Sequence, residues 1–89
     1  MGKGVLDDIR GLAAARRLRL SDHMRNVTMP KRDISLDNVL CALMNASSCR
    51  PEGEPGDDKY VAVGPDLDGD RLQVVVVIEG DLFVITAFA

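Results

Sequence analysis

The residues best suited to chemistry lie in one short stretch, LSDHMRNVTMPKRDIS, at residues 20–35. It contains His23, the only histidine of the chain, followed by Arg25, Lys31 and Arg32. An imidazole can take or give a proton near neutral pH, and Arg and Lys can hold a phosphate and offset the charge that builds on it. Metal-free RNA cleavage requires these groups, with His23 as acid or base and Arg25, Lys31 and Arg32 as phosphate ligands.

The same stretch has a simpler interpretation, as a short helix whose charged side chains face water. Ser21 or Asp22 can cap a helix that begins at His23. Pro30 is expected to end this helix, because the residue before a proline avoids the α-helical region. The sequence leaves both interpretations open, and neither of them requires a cofactor.

Three aspartates in the segment DLDGD could suggest a calcium loop. In such a loop, the sixth position is Gly and the twelfth is Glu. Counted from Asp66, these positions hold Arg71 and Val77, so the pattern is not met. We therefore expect Asp66, Asp68 and Asp70 to form a solvated turn, and we predict no metal site.

Length and composition indicate one globular domain over residues 1–89. Hydrophobic residues make up 46% of the chain, but only Tyr60, Phe83 and Phe88 are aromatic, so the core must be aliphatic. Cys41 and Cys49 form neither a disulfide framework nor a metal-binding pattern. With no signal peptide and no apolar run of about 20 residues, the sequence predicts a cytoplasmic protein that does not enter a membrane.

Charge is distributed unevenly along the chain, whose formal net charge is −3. Residues 1–40 carry eight Lys/Arg and five Asp/Glu, a balance of +3, whereas residues 41–89 carry three Lys/Arg and nine Asp/Glu, a balance of −6. A basic half can meet phosphates even in an acidic protein, because charges act over a Debye length of about 10 Å. The acidic half, expected to form the sheet, disfavours RNA.

Hydrophobic periodicity changes from helical to extended along the chain. Residues 4–18 and the segment that follows Ser35 have helical spacing, whereas residues 46–58 contain Pro and Gly and are expected to form a loop. Extended patterns follow in KYVAVG, RLQVVVVI and LFVITAFA. The predicted fold is therefore α+β, with two or three N-terminal helices packed on one face of a three- to four-stranded antiparallel sheet.

The last hairpin predicts an uncovered apolar surface. If Gly80 and Asp81 form a two-residue turn, Glu79 pairs with Leu82, and one face then carries Val74, Val76, Ile78, Phe83, Ile85 and Ala87. The helices are expected to cover that face and to leave the opposite one bare. A large bare apolar face usually binds a partner. The predicted partner-binding residues, for a second copy of the chain or another protein, are Gln73, Val75, Val77, Leu82, Val84 and Phe88.

Several short motifs resemble a known family. They are SDH (21–23), Met29, RDIS (32–35), VLCAL (39–43), LQVVVVI and VITAF, and the resemblance runs from about Ile9 to Phe88. The chain resembles a bacterial and archaeal family of unknown function placed among the RelE/ParE- and BrnT-like toxins. That group shares the fold of barnase-like and colicin-like ribonucleases.

The resemblance implies a RelE-like fold whose uncovered sheet face serves as an RNA cleft or antitoxin surface. It matches His23 to the family histidine, Arg32 to a later arginine and Thr86 to a polar position on the last strand, which implies a metal-independent endoribonuclease. This sequence departs from the family at Val27, where an arginine is common, and at Asp33, where a glycine is common. The stretch between His23 and Arg32 is also one residue longer. The alternative function is a non-catalytic module that dimerises or binds a protein.

Overall fold

The computed structural model describes residues 4–89 and has an α+β fold with three helices and a five-stranded mixed sheet. No helix within these residues is both long and apolar enough to span a bilayer. The helical elements are α1 (Val5–Ala14), a π-helical turn (Met24–Thr28), α2 (Met29–Arg32) and α3 (Leu36–Met44). The strands are β1 (Leu18–Leu20), β2 (Ser48–Pro51), β3 (Lys59–Pro65), β4 (Arg71–Glu79) and β5 (Asp81–Phe88).

The sheet has the strand order β1-β5-β4-β3-β2, with β1 parallel to β5 and all other pairs antiparallel. The α+β class is confirmed, but the strand number and the wholly antiparallel sheet were wrong. The two unpredicted strands, β1 and β2, are short edge strands of three and four residues. Tertiary pairing rather than local sequence creates them, since β1 lies at the end of a helical pattern and β2 in a segment rich in turn residues.

Helix α1 ends four residues earlier than its hydrophobic pattern predicts. The N–H groups of Arg17 and Arg16 donate to the carbonyls of Leu12 and Ala13, at 2.9 and 3.0 Å. This is the Schellman arrangement, in which one residue after the helix adopts the left-handed conformation. Here that residue is Arg16, with φ 62°. The reversal frees the following residues to pair with β5.

Pro30 does not end a helix, contrary to expectation, because the structure accommodates it inside one helical segment at residues 22–32. In the π-helical turn before it, the N–H of Met29 donates to the carbonyl of Met24, five residues back. A proline ring normally clashes with the carbonyl four residues earlier, which is that of Asn26. The wider turn relieves that clash.

The hydrophobic core lies between the helices and one face of the sheet, which we call the inner face. Its helical members are Ile9, Ala13, Met24, Val39, Ala42, Leu43 and the adjoining Ala46. Its sheet members are Ala62, Leu72, Val74, Val76, Leu82, Val84 and Ala87. Helices α1 and α3 and the π-helical turn therefore contribute buried residues to one core on one side of the sheet, as the sequence predicted, and Met29 of α2 packs against that core while half-buried.

Gly64 sets how closely α3 approaches the sheet. A Cβ at this position would overlap the carbonyl oxygen of Ala42 and lie 3.0 Å from the Cα of Ala46. Both of these are backbone atoms, which cannot rotate away. The absence of a side chain at Gly64 therefore allows the backbones of α3 and β3 to pack directly against each other.

The β4–β5 hairpin corrects the predicted face assignment. Glu79 pairs with Asp81 across Gly80, so the pairing is shifted by one residue and side chains near the turn change faces. Leu82 and Val84, predicted to be exposed for a partner, are fully buried in the core, and Phe83 lies on the other face. A β-bulge at Ile85 restores the predicted register beyond it. Ala87 therefore lies inside, whereas Thr86 and Phe88 lie outside, as predicted.

This register distinguishes two valines that the sequence placed on the same face. Val84→Asp should destabilise the fold by more than about 3 kcal/mol, because it buries a charge in the core. Val77→Asp should cost less than about 1 kcal/mol, because Val77 is only half-buried and pairs with Lys59. Urea unfolding followed by circular dichroism measures both. Equal losses in the two variants would contradict the register.

Two glycine substitutions test the contact at Gly64. Gly64→Ala should lower the free energy of unfolding by about 2–3 kcal/mol, because the added methyl overlaps backbone atoms. Gly11→Ala is the matched control, because Gly11 lies within α1 and its added methyl would meet nothing within 4 Å. This control should gain about 0.5–1 kcal/mol from helix propensity. Thermal unfolding of both proteins checks the opposite signs.

Candidate functional site

The face of the sheet opposite the helices, here called the outer face, is the largest candidate surface. Within residues 4–89, the helices pack on the inner face, except that the π-helical turn reaches the outer side of β5 where Thr28 contacts Thr86, and the apolar side chains of the outer face lie outside the core cluster. These apolar side chains belong to Val61, Val63, Val75, Val77, Phe83 and Phe88, placed on this face by strand register. Val63, Val77, Phe83 and Phe88 are half-buried, so the outer face presents apolar surface to solvent around its buried central valines.

A polar bridge crosses one end of the outer face. The guanidinium of Arg50 donates to the side-chain carbonyl of Gln73 at 3.2 Å, and the Gln73 amide donates to the carbonyl of Ala89 at 3.1 Å. Arg50 lies opposite Val61, which in turn lies opposite Val75. The bridge helps to explain why these two valines are 0% and 4% exposed without a helix above them. It also ties the C-terminal residue to the sheet.

The outer face is positively charged, although the protein is acidic. The side chains on it and at its edges are five cations, Arg17, Arg19, Arg50, Lys59 and Arg71, and three acids, Glu52, Glu79 and Asp81, so the balance is +2. Two of the acids face arginines, with Arg17 Nε 3.0 Å from Asp81 and Arg19 Nη2 3.9 Å from Glu79. Within residues 4–89, the other three cations form no ion pair.

The acidic residues of the second half lie mostly in two loops rather than on the outer face. Of the nine between residues 41 and 89, four lie in residues 52–58 and three in residues 66–70. Counting charge along the chain therefore gave the wrong sign for this face. The alternation of side chains along each strand could have separated loop charges from strand charges.

An aromatic and a cation stack at the β1 side of the outer face. The guanidinium carbon of Arg19 lies 5.1 Å from the centre of the Phe83 ring, which is cation–π geometry. Phe88 lies on the same face of the same strand. Phenylalanine rings beside cations are the groups on which proteins stack unpaired bases while holding the adjacent phosphates.

Two of the three predicted catalytic residues, His23 and Arg32, lie along one helical segment. His23 precedes the π-helical turn, and Arg32 ends α2 nine positions later in the continuous helical run. At about 1.5 Å per residue, their backbones are separated by roughly 13 Å along the segment. The structure therefore places the predicted proton-transfer group and this predicted phosphate ligand at opposite ends of the segment. Both side chains are exposed.

The other predicted phosphate ligands are also exposed, in two different environments. Lys31 lies beside Arg32 on α2. Arg25 lies six residues before Lys31, and its guanidinium donates to the carbonyl of Leu20 at 3.4 Å. Arg25 thus approaches the edge strand β1, whereas Lys31 and Arg32 are the last residues of the helical segment.

Thr86, the third predicted catalytic residue, has a structural partner. Its hydroxyl lies 3.0 Å from that of Thr28, which is 4% exposed on the π-helical turn. Ser21 makes a second connection nearby, because its hydroxyl donates to the carbonyl of Ile85 at 2.8 Å and accepts from the N–H of Met24 at 3.0 Å. The predicted cap at Ser21 is confirmed, and together these contacts attach the helical segment to β5.

The three aspartates form a turn stabilised by its own backbone, as predicted. One carboxylate oxygen of Asp66 accepts from the N–H groups of Asp68 and Asp70, at 2.9 Å each. Oxygens of the three carboxylates lie within 4.8 Å of one another. Since the turn geometry accounts for this cluster, it needs no further role.

The two cysteines are unpaired. Burial raises the pKa of the Cys49 thiol. A raised pKa lowers the thiolate fraction near neutral pH, and the thiolate is the reactive form. Cys49 is therefore poorly suited to act as a nucleophile.

Comparison of the chain with protein-family models, with curated proteins and with solved structures found no match.

The threonine pair can be tested by a double-mutant cycle. Thr86→Val should cost about 1–2 kcal/mol, because it leaves the buried hydroxyl of Thr28 without its partner. Thr28→Val should cost less, because the Thr86 hydroxyl left behind is only half-buried. The double variant should cost less than the sum, because no orphaned hydroxyl is left. Urea unfolding of the four proteins gives the coupling energy. Strict additivity would show that the hydroxyl contact contributes nothing.

Proposed function

We propose that this chain is a RelE/BrnT-like protein that binds single-stranded RNA on its outer face. The observation that carries the proposal is the group of three cations, Arg50, Lys59 and Arg71, which have no ion-pair partner within residues 4–89 and surround an apolar centre. Cations on a backbone-tracking surface supply the phosphate attraction that dominates affinity for RNA. Phe83 and Phe88 supply faces for base stacking.

The arrangement of the elements supports the same assignment. The sequence resemblance implies helices on one side of the sheet and an RNA cleft on the other, and the outer face has the position and charge that such a cleft needs. In this proposal, His23 is the acid or base of a metal-independent cleavage, and the phosphate is held by cations of the outer face, because Arg32 lies at the other end of the helical segment and the hydroxyl of Thr86 bonds to that of Thr28. The exposed His23 leaves room for a substrate.

A second candidate function is a non-catalytic interaction module, favoured by the apolar centre of the outer face. Charge argues against face-to-face pairing of two copies, since each outer face carries a balance of +2 and like charges would be brought together. The proposed occupant in this case is an acidic protein, such as an antitoxin. The same cations would attract it.

Charge reversal on the outer face tests RNA binding. Lys59→Glu and Arg71→Glu should each weaken the affinity for a fluorescein-labelled single-stranded RNA by about fivefold or more. Each should also reduce the slope of affinity against salt, because one phosphate contact is lost. Arg10→Glu is the matched control, since Arg10 is exposed on α1 and makes the same charge change elsewhere. Fluorescence anisotropy measures all four proteins, and equal weakening in the control would contradict a site on the outer face.

Cleavage is tested separately from binding. Wild type and His23→Ala are incubated with total RNA in EDTA, after circular dichroism has verified that both are folded. Fragments ending in a cyclic or 3′-phosphate from wild type alone support the ribonuclease assignment. RNA that is bound but intact in both samples supports a non-catalytic RNA-binding protein. RNA that is neither bound nor cut leaves the interaction module as the function.

A further inference from the structure

A cleft of about 610 Å³ lies at the free edge of the sheet, beside β1 and α3. Its lining consists of five apolar side chains and three arginines, with no acidic residue: Arg16, Leu18, Arg19, Leu20, Arg25, Leu36, Leu40 and Phe83. Only Arg19 and Phe83 also belong to the outer face. The cleft is therefore a second surface, with its own apolar floor and its own positive charge.

The apolar floor of the cleft is open to solvent. Leu36 is 43% exposed, although it begins a helix whose other leucines are buried. Leu18 and Leu20, on the edge strand, are only half-buried. Covering such exposed apolar side chains with another apolar surface is favourable, by about 25 cal/mol for each Å² removed from water.

None of the three arginines has a close carboxylate. Arg16 donates only to the carbonyls of Ala13 and Ala14, at 3.3 Å, and to the sulfur of Met44 at 3.4 Å. Arg25 reaches only a carbonyl, and Arg19 lies a long 3.9 Å from an exposed glutamate. Within residues 4–89, the cleft thus has two arginines without an ion pair, Arg16 and Arg25, and a third, Arg19, in a long and exposed ion pair that a partner's carboxylate can replace.

The backbone at Arg16 is strained. Its φ of 62° is left-handed, at the position after a helix where glycine is preferred. A residue other than glycine costs about 1 kcal/mol or more in this conformation. A glycine at this position would keep both Schellman hydrogen bonds without the strain. The helix end therefore does not require arginine here, whereas the long side chain of Arg16 lines the cleft. Strain of this kind is typical of binding sites.

The edge of β1 can accept another strand. The carbonyl of Arg17 and the N–H of Ser21 bond to β5, so the N–H and carbonyl groups of Leu18 and Leu20 point to the free edge. The Leu20 carbonyl accepts from Arg25 at 3.4 Å, which leaves the N–H groups of both leucines and the carbonyl of Leu18 for an added strand. Side chains of β1 alternate in the same way, with leucines on the inner side and Arg19 on the outer side. An added strand would need apolar side chains inside and negative charges outside.

We propose that the β1 cleft binds an extended segment of a partner protein in which apolar side chains alternate with carboxylates. The apolar side chains cover Leu18, Leu20 and Leu36, and the carboxylates pair with the arginines. Main-chain hydrogen bonds to β1 hold the segment in register. This surface is independent of the proposed RNA-binding role of Arg50, Lys59 and Arg71.

The test uses a fluorescein-labelled octapeptide that alternates valine with glutamate, and a second peptide with lysine in place of glutamate. Fluorescence anisotropy with the full chain should show binding of the glutamate peptide alone, weakening at high salt. Arg16→Gly and Leu36→Asp should each weaken it by about tenfold. Arg10→Glu and Lys59→Glu should leave it unchanged, which separates this cleft from the outer face.

Arg16→Gly also distinguishes a lost binding contact from misfolding. Because it removes strain, its melting temperature should be equal to or higher than that of wild type, so lost peptide binding would come from the missing side chain. Absence of glutamate-peptide binding, or equal binding of the two peptides, would overturn the proposal. It would also be overturned if Arg16→Gly weakened binding of single-stranded RNA but not of the peptide, since the cleft would then be a nucleic-acid site.

Discussion

The bulge at Ile85 is the point on which the architecture depends. On its N-terminal side, β5 sends Leu82 and Val84 into the core and pairs with β1; on its C-terminal side, the strand turns Thr86 and Phe88 to the outer face. The carbonyl of Ile85 also accepts the hydroxyl of Ser21, which ends β1 and caps the helical segment. One extra residue thus fixes where the parallel pairing stops, where the helical segment attaches and which side chains the outer face carries.

The positions of the charged side chains in the fold determine which ligands each surface attracts. Loops at residues 52–58 and 66–70 hold most of the acidic groups of the second half, whereas the strands between them hold cations on one face. An acidic protein therefore presents a positive sheet face and a positive edge cleft. Because attraction decays over about 10 Å, a ligand at either surface responds to the local groups rather than to the net charge.

Hydrophobic periodicity and capping residues were sufficient to predict the elements that depend on neighbouring residues in the chain. The pattern of α3 and its cap at Ser35, which accepts from the N–H of Asn38 at 3.1 Å, followed from the sequence, as did the three long strands. The edge strands, the one-residue hairpin at Gly80 and the bulge did not, because they depend on pairing between distant segments. The same limit applied to the candidate surfaces: half of the outer face was predicted correctly, but its charge and the cleft beside β1 required the register.

The π-helical turn has an evolutionary consequence. An inserted residue in a regular helix rotates everything after it by about 100°, which would turn the flanking side chains away from their contacts. A π-helical turn holds about one more residue than an α-helical turn, so it absorbs an insertion within itself. In this turn, Thr28 bonds to Thr86 and Met24 packs in the core, so contacts with the sheet are made from the turn itself. This turn is thus a place where the chain can change length while the rest of the fold stays in register.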